Sequence, residues 1–573
     1  MKVLLLHPDD EAPVKGHWDR IVDLGRAPAF RYREWQRGFD ARVVSVYDYA
    51  EEVTDLHRIR ETLAPGLDRL VDKAGVDWWD VFSLWLIEDL QQLLLAQRLA
   101  KEIGPKAEVH ATLGSRITQI LGNVLGTPAV VHETAEAKLL SRFRRYPKAV
   151  AQLDRAQLMQ VVQDKFDRQH TIRRRLVRRA RLSGEPCVLL PSAYINVSRA
   201  AAGYARMLPD EHFLLVWARR SGKLQSLPPN VEQTALDSYF PDGGSRETRQ
   251  IVDAWLQLKR ELAADNETLR LADKSGVLDA FPDHLRWGVA VRSAWNRLFE
   301  TETITACLCA DDSNPYSRIP LILAKNRNLP TVACHHGALD FRMAIKRQHA
   351  DAYLVKSEME RDYLVRQCAV SADRLAGLTQ PARKQESPAR SHGNWMVFFT
   401  EPYAVHGWRT REIYRELLPA LIALCAELGL ELVFKLHPFE SVKGHRRLLR
   451  EIAGSLASAK IRVLGGPPAP EVWDNIRFAM TVQSTVAMEC TARGVPVFLC
   501  AWLRDPYTGY VPQFARFGMG HSLESIELIK DIPQLLERGY CGRVGLDVAI
   551  DSGAKQLHEL LSGAWAAPRA LGA

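Results

Sequence analysis

Between Trp395 and Cys500 three short apolar runs each end in residues suited to meet a ligand. Met396-Val397-Phe398-Phe399-Thr400 leads into Glu401-Pro402-Tyr403, and Leu432-Val433-Phe434-Lys435-Leu436 into His437-Pro438. Phe478-Ala479-Met480-Thr481-Val482 leads into Gln483-Ser484-Thr485, after which a helical pattern carries Glu489. Runs this short, with no polar alternation, read as strands buried on both faces of a parallel sheet. Open α/β sheets bind ligands in the crevice beyond the carboxyl ends of their strands. Three polar clusters at three strand ends are therefore expected to share one crevice.

The rest of the chain alternates in the same way. Apolar runs at residues 2–6, 42–47, 108–109 and 128–131 read as strands, with a long helical pattern from Trp78 to Ile103. Further runs follow at 187–190, 213–217, 304–309, 331–334 and 352–355, and Ser317 to Ala324 has helical spacing. Strands alternating with helices predict an α/β chain of doubly wound, Rossmann-like domains. At 573 residues two or three domains are expected. The segment from Gln380 to Asn394 has two prolines, mixed charge and no apolar run, so it reads as a linker. The expected division is an N-terminal domain, 1–385, with helical insertions at about 139–182 and 221–300, and a C-terminal domain, 386–573, with a helical tail. Within the first insertion, Arg168 to Arg181 alternates arginines with Ile172, Leu176, Val177 and Ala180. That spacing reads as an amphipathic helix with a cationic face, solvated or resting on anionic lipid.

A net charge of +8 over this length makes no case for nucleic acid as a partner. Nine cysteines without CxxC pairs point to reduced thiols and a cytoplasmic protein. The first apolar run is too short for a signal peptide, and no apolar stretch approaches the roughly 20 residues of a membrane span. Any membrane contact is expected to be peripheral, at the inner membrane face.

At the third strand end, Ser484 and Thr485 stand where a strand hands over to a helix, a position suited to phosphate. Glu489 lies one turn on, where a carboxylate could take hydrogen bonds from a ribose diol. His437 can donate to phosphate or base, Pro438 fixes the turn, and Lys435 and Lys443 add positive charge. Singly, each has a plain structural role: cap, solvated helix residue, strand exit. Their order along one α/β unit is what points to a nucleotide. In the N-terminal half, Thr331-Val332-Ala333-Cys334 ends in His335-His336-Gly337. His336 is a candidate general base, and Gly337 permits close backbone approach. Asp311-Asp312 follows another strand end; one of the two could serve as base, its pKa raised by its like-charged neighbour, or both could simply cap the next helix.

From about Ile304 to Leu499 the chain resembles glycosyltransferases of the GT-B fold, in which two Rossmann-like domains face one another. It looks most like those that build bacterial surface polysaccharides, including sialyl- and polysialyltransferases, Kdo transferases and polyglycerol-phosphate polymerases. The resemblance rests on His437-Pro438, Ser484-Thr485 and the strand ending in His335-His336-Gly337. It implies a nucleotide-sugar donor, CMP- or UDP-linked, held by Lys435, His437, Pro438, Gln483, Ser484, Thr485 and Glu489. It further implies a glycan or lipid-linked acceptor and catalysis by His336, Asp311 or Asp312; with no Asp-x-Asp motif beside a nucleotide-binding strand, neither metal nor cofactor is expected. Sialyltransferases of this type carry two acidic residues followed by glycine, whereas here Asp311-Asp312 precedes Ser313. Glu401, His335 and Gly337 are further expected to face the acceptor.

A competing motif opens the chain. His7-Pro8-Asp9-Asp10 after a strand is similar to the zinc motif of de-N-acetylases acting on N-acetylglucosamine conjugates. That likeness would make His7 and Asp10 ligands and Asp9 the base. The glycine-rich helix start of that family is absent here, and His110 and His132 read as isolated. Under the transferase reading His7, Asp9 and Asp10 contact the acceptor instead. A third reading is a nucleotide- or glycan-binding protein without turnover.

Overall fold

The computed structural model describes residues 1–8, 13–25, 32–50, 53–132, 170, 180–241, 246–337, 339, 341–377, 393–403, 410–437, 440–453, 461–466, 468–504, 511–538 and 550–564. Of the expected features, Pro438, Asp9 and Asp10 lie outside them, as do most of the Arg168–Arg181 stretch and the 139–182 insertion.

Every strand ladder among the described residues is parallel. β1 (Lys2–Leu6), β2 (Arg20–Asp23), β3 (Arg42–Ser45), β4 (Glu108–Ala111) and β5 (Val130–Val131) form a sheet of order β3-β2-β1-β4-β5. A second sheet joins β6 (Cys187–Ser192), β7 (Phe213–Trp217), β8 (Val231–Ala235), β9 (Ile304–Cys309), β10 (Thr331–Ala333), β11 (Ala352–Val355) and β12 (Leu375–Gly377). Its order is β12-β11-β10-β9-β6-β7-β8. A third joins β13 (Trp395–Phe399), β14 (Glu431–Lys435), β15 (Ile461–Leu464), β16 (Ile476–Thr481), β17 (Val497–Cys500) and β18 (His521–Leu523), in the order β15-β14-β13-β16-β17-β18.

In each sheet the chain lays down three strands outward in one direction, then returns to the first and continues the other way. This is the doubly wound order of the Rossmann fold, and it leaves a switch point beside the first strand of each sheet. The switch points fall between β1 and β4, β6 and β9, and β13 and β16. The two expected Rossmann-like sheets are the seven- and six-stranded ones. The first 131 residues make a further parallel sheet of their own, beyond the single sheet expected of the N-terminal domain.

The chain divides into two compact units. One contains residues 1–52, 91–160 and 385–544, with the five- and six-stranded sheets; the other contains 53–90, 161–384 and 545–573, with the seven-stranded sheet. The helix Ile550–Ser562 inserts Leu557, Leu560 and Leu561 into the core of the seven-stranded sheet, with Val188, Leu190, Leu308 and Val332. The 221–300 stretch holds the edge strand β8 and then the helices Arg246–Asp265, Glu267–Lys274 and Phe281–Thr301, which form the crossover back to β9.

The expected helix from Trp78 to Ile103 is interrupted. Asp77 caps a short helix, Trp78–Phe82, by accepting from the Asp80 amide at 3.1 Å; a tight turn, Ser83–Trp85, precedes the helix Ile87–Ile103. The interruption turns Asp80 inward to a charge network. Its carboxylate is fully buried and accepts from Arg60 (2.8 Å), His349 Nε2 (2.8 Å), the Arg347 amide (3.2 Å) and Arg318. Burial opposes that charge, but Arg318, His349 and Arg60 outweigh it and hold the carboxyl far below its ordinary range.

Candidate functional site

At the switch point of the seven-stranded sheet, the exits of β6, β9 and β10 bring four side chains together. Tyr194, two residues beyond β6, donates its hydroxyl to Asp311 Oδ2 at 2.8 Å. Asp311, two residues beyond β9, also accepts at Oδ1 from the Ser313 amide (3.1 Å) and hydroxyl (2.5 Å). His336, beyond β10, places Nε2 3.3 Å from the Tyr194 oxygen, with the two rings edge to face. His335 Nδ1 accepts from the Gly337 amide at 3.4 Å, which leaves its proton on Nε2, 3.9 Å from Asp311 Oδ1. Lys356 holds this exit in place by donating to the carbonyls of His335 (2.6 Å) and Gly337 (3.0 Å). A Cβ added at Gly337 would meet nothing within 4 Å, so packing alone does not require glycine there.

The charge state of Asp311 is opposite to the expectation of a raised carboxyl. Burial pushes it upward, but His335, His336 and the hydrogen bonds from Ser313 and Tyr194 prevail and hold it at about 2. It is a fixed anion, and a poor proton acceptor near neutral pH. Asp312, the other expected base, turns away from this cluster: it is buried against Lys346. Neither aspartate caps the following helix, whose N-cap is Asn314, accepting from the Tyr316 amide at 3.0 Å.

A buried relay stands beside this cluster. Asp237, following β8, bonds His170 Nδ1 at 2.9 Å, and His170 Nε2 bonds the Tyr316 hydroxyl at 2.8 Å. All three are nearly inaccessible to solvent. Tyr194, Asp237, His170 and Lys356 were not legible as site residues. Their one signal is position, just past a strand end, and for His170 not even that.

At the switch point of the six-stranded sheet, Glu401 spans the exits of β13 and β16, accepting from the Gln483 amide at 2.8 Å and from the Thr481 hydroxyl at 3.3 Å. The exits of β13 and β14 are tied by Glu440, which accepts from the His437 amide at 3.0 Å and from the Thr400 hydroxyl. Burial raises both carboxyls to about 7; their mutual repulsion adds to the rise of Glu401. Ser484 donates its amide to Thr481 Oγ1 and accepts from the Val486 amide, both at 3.3 Å. Thr485 begins the helix Val486–Ala492, and Glu489 on that helix is exposed. His437, Gln483, Ser484 and Thr485 are half-buried around this end of the sheet. Lys435, expected to offer charge to a ligand, is buried, with its ammonium held by the carbonyls of Leu436 (2.9 Å) and Gly466.

In the five-stranded sheet the His7 amide donates to Thr112 Oγ1 at 3.0 Å across the β1–β4 switch point. His110 and His132 are not isolated: His110 Nδ1 and His132 Nε2 bond each other at 2.7 Å, and His110 Nε2 bonds Glu108 at 2.9 Å. Among the described residues, no three His, Cys, Asp or Glu side chains are grouped to hold a metal. No helix among them is long and apolar enough to cross a membrane.

No family model matches the sequence, and no curated protein does. Among solved structures the chain is similar to UDP-GlcNAc 2-epimerase from Methanocaldococcus jannaschii, at 12% sequence identity and a TM-score of 0.41, over 65% of this chain and 98% of that one. It is also similar to UDP-GlcNAc 2-epimerase from Neisseria meningitidis, bound to UDP-GlcNAc, at 10% identity and a TM-score of 0.37, over 64% and 96%. A third is CalG4, the calicheamicin glycosyltransferase, at 12% identity and a TM-score of 0.36, over 66% and 94%.

Proposed function

We propose that the chain is a glycosyltransferase that moves a sugar from a CMP- or UDP-linked donor to a hydroxyl of a surface polysaccharide or glycolipid. The observation that carries the reading is the set Tyr194, Asp311 and His336 at the switch point of the seven-stranded sheet. On this reading the acceptor belongs to that sheet. The nucleotide belongs to the carboxyl edge of the six-stranded sheet, against His437, Gln483, Ser484 and Thr485, with Glu401 fixing the Gln483 amide.

His336 is the base. In its neutral form it takes the acceptor proton at Nε2, and the imidazolium so formed stands 3.3 Å from the Tyr194 oxygen. The Tyr194 proton already points at Asp311, so the positive charge formed on His336 is offset by a carboxylate kept ionised through one shared hydroxyl. A fixed anion of this kind stabilises the charge that develops and needs no proton of its own. Neither step requires a metal.

Isothermal titration with CMP, CDP, UDP, GDP and their sugars tests the nucleotide half. Selective binding by one base is expected, weakened at least about tenfold in His437→Ala. His336→Ala should lower turnover by about 10²-fold or more and leave nucleotide affinity intact. Wild-type protein that binds no nucleotide would overturn the reading; binding without turnover on any donor and acceptor would leave a nucleotide-binding protein.

A further inference from the structure

The carboxyl edge of the seven-stranded sheet continues beyond the catalytic cluster into a surface of different character. The helix Phe281–Thr301 runs back toward β9, so its first turns lie at this edge. Trp78 and Phe82 pack against it at Gly288, where an added Cβ would lie 2.5 Å from Trp78 and 2.6 Å from Phe82. That close approach seats the following turn, with Trp85, beside Trp287: their ring centroids are 5.0 Å apart and the planes inclined by 37°. Trp85 is 38% exposed and Trp287 half-buried, so the pair offers indole surface to solvent. His284 closes one border, 5.1 Å from the Trp85 ring and stacked on Phe82 at 5.4 Å.

The other border is Tyr316. Trp287 meets its ring edge to face at 4.7 Å, and Arg219, just past β7, lies with its guanidinium 5.6 Å from the same ring. Arg219 Nε is buried and has no hydrogen-bond partner, and among the described residues no carboxylate pairs with the guanidinium. Tyr316 itself cannot shift toward solvent, because His170 and Asp237 hold its hydroxyl from behind. Two indoles and an arginine without a carboxylate partner thus flank one buried tyrosine, which sets their spacing. That tyrosine stands five residues after Asp311 in sequence and lies at the same end of the sheet.

Each part of this surface asks for a different feature of one ligand. Flat aromatic faces bury the C–H face of a pyranose while its hydroxyls remain in water. A guanidinium whose Nε is already desolvated gains most from a planar or tetrahedral oxyanion. We propose that Trp85, Trp287 and Arg219 form a binding subsite for an anionic pyranose chain. The ring of one sugar rests on the tryptophans, and a carboxylate or phosphate of the chain is held by Arg219. The subsite rests on the proposed transferase reading and names the class of acceptor that reading leaves open.

The test uses the full chain and three probes: an oligogalacturonate, a phosphodiester-linked oligosaccharide and maltohexaose as a neutral chain. At least one anionic probe should bind at least about tenfold more tightly than maltohexaose, and which one binds identifies the anion. Arg219→Gln should remove that preference while weak binding of all chains persists. Trp287→Ala should weaken the favoured probe about tenfold or more, and Trp287→Phe should recover much of the loss. Thermal denaturation and nucleotide titration of each variant separate loss of the subsite from loss of fold. Equal affinity for neutral and anionic chains, undiminished binding in a Trp85→Ala/Trp287→Ala variant, or no binding of any probe by wild type would each overturn the proposal. Glycan binding by protein that takes no nucleotide would sink the transferase reading and keep the subsite.

Discussion

Tyr194 shows how much one unremarked hydroxyl can set. It gives Asp311 a charge-assisted hydrogen bond and stands 3.3 Å from the nitrogen of His336 assigned as base. Tyr194→Phe keeps the ring contact with His336 and deletes both polar ones; the Asp311 carboxyl should rise only a little, because His335, His336 and Ser313 still hold it down. Turnover is expected to fall by about 10- to 100-fold with nucleotide affinity unchanged, measured by steady-state kinetics beside titration. A loss confined to KM would remove Tyr194 from the proton path. At this scale the sequence was readable for residue type and blind to environment. Asp311 and Asp312 are adjacent in sequence and point to opposite surroundings, one to a histidine pair and the other to Lys346. No spacing rule distinguishes them, because a strand exit turns successive side chains to different faces.

At the scale of elements, strand exits are cross-tied by buried acids. Glu401 joins β13 to β16 and Glu440 joins β14 to β13, each with a carboxyl raised to about 7 by burial. A raised carboxyl binds its proton more tightly folded than unfolded. Its stabilising effect is therefore present below about 4.5 and lost as pH climbs toward 7. Glu401→Gln cannot ionise, so relative to wild type it should gain more thermal stability at pH 8 than at pH 5; equal shifts at both would show that the Glu401 carboxyl is not raised. The Asp80 cluster gives the opposite lesson. Asp80→Ala leaves Arg318 and Arg60 buried without their partner, and about 3–5 kcal/mol of stability should disappear in urea denaturation. A change under about 1 kcal/mol would mean that water reaches the site.

Which strands the sequence revealed follows from their neighbours. Interior strands such as β6, β9 and β13 are mostly apolar because both faces are covered along most of their length. The strands that no apolar run marks include β8, β12, β15 and β18, all outermost in their sheets. An edge strand has one neighbour and tolerates residues such as Glu232 and Arg462.

The whole molecule is threaded in a way that the linear pattern conceals. Gln380 to Asn394 reads as the clearest linker, yet the chain passes between its two units at residues 52–53, 90–91, 160–161, 384–385 and 544–545. Apolar runs report strands and say nothing of which sheet a strand joins, so the separate five-stranded sheet could not be read from them. The helix Ile550–Ser562 is the sharpest instance, since Leu557 is wholly buried in the core of a sheet whose last strand ends at Gly377. Leu557→Ala should cost about 2–5 kcal/mol. The loss should appear as faster hydrogen exchange in β9 and β10, against which the helix packs; unaltered exchange there would contradict the placement.

The same helix carries a consequence for how the protein is made. A ribosome delivers β6 to β12 long before it delivers Leu557, and domains otherwise fold as units while synthesis proceeds. Until residues 550–562 emerge, the apolar face around Leu308 and Val332 lacks its cover. The nascent chain therefore carries an open hydrophobic surface through the making of the entire six-stranded sheet, and this is the interval in which a chaperone has most to hold.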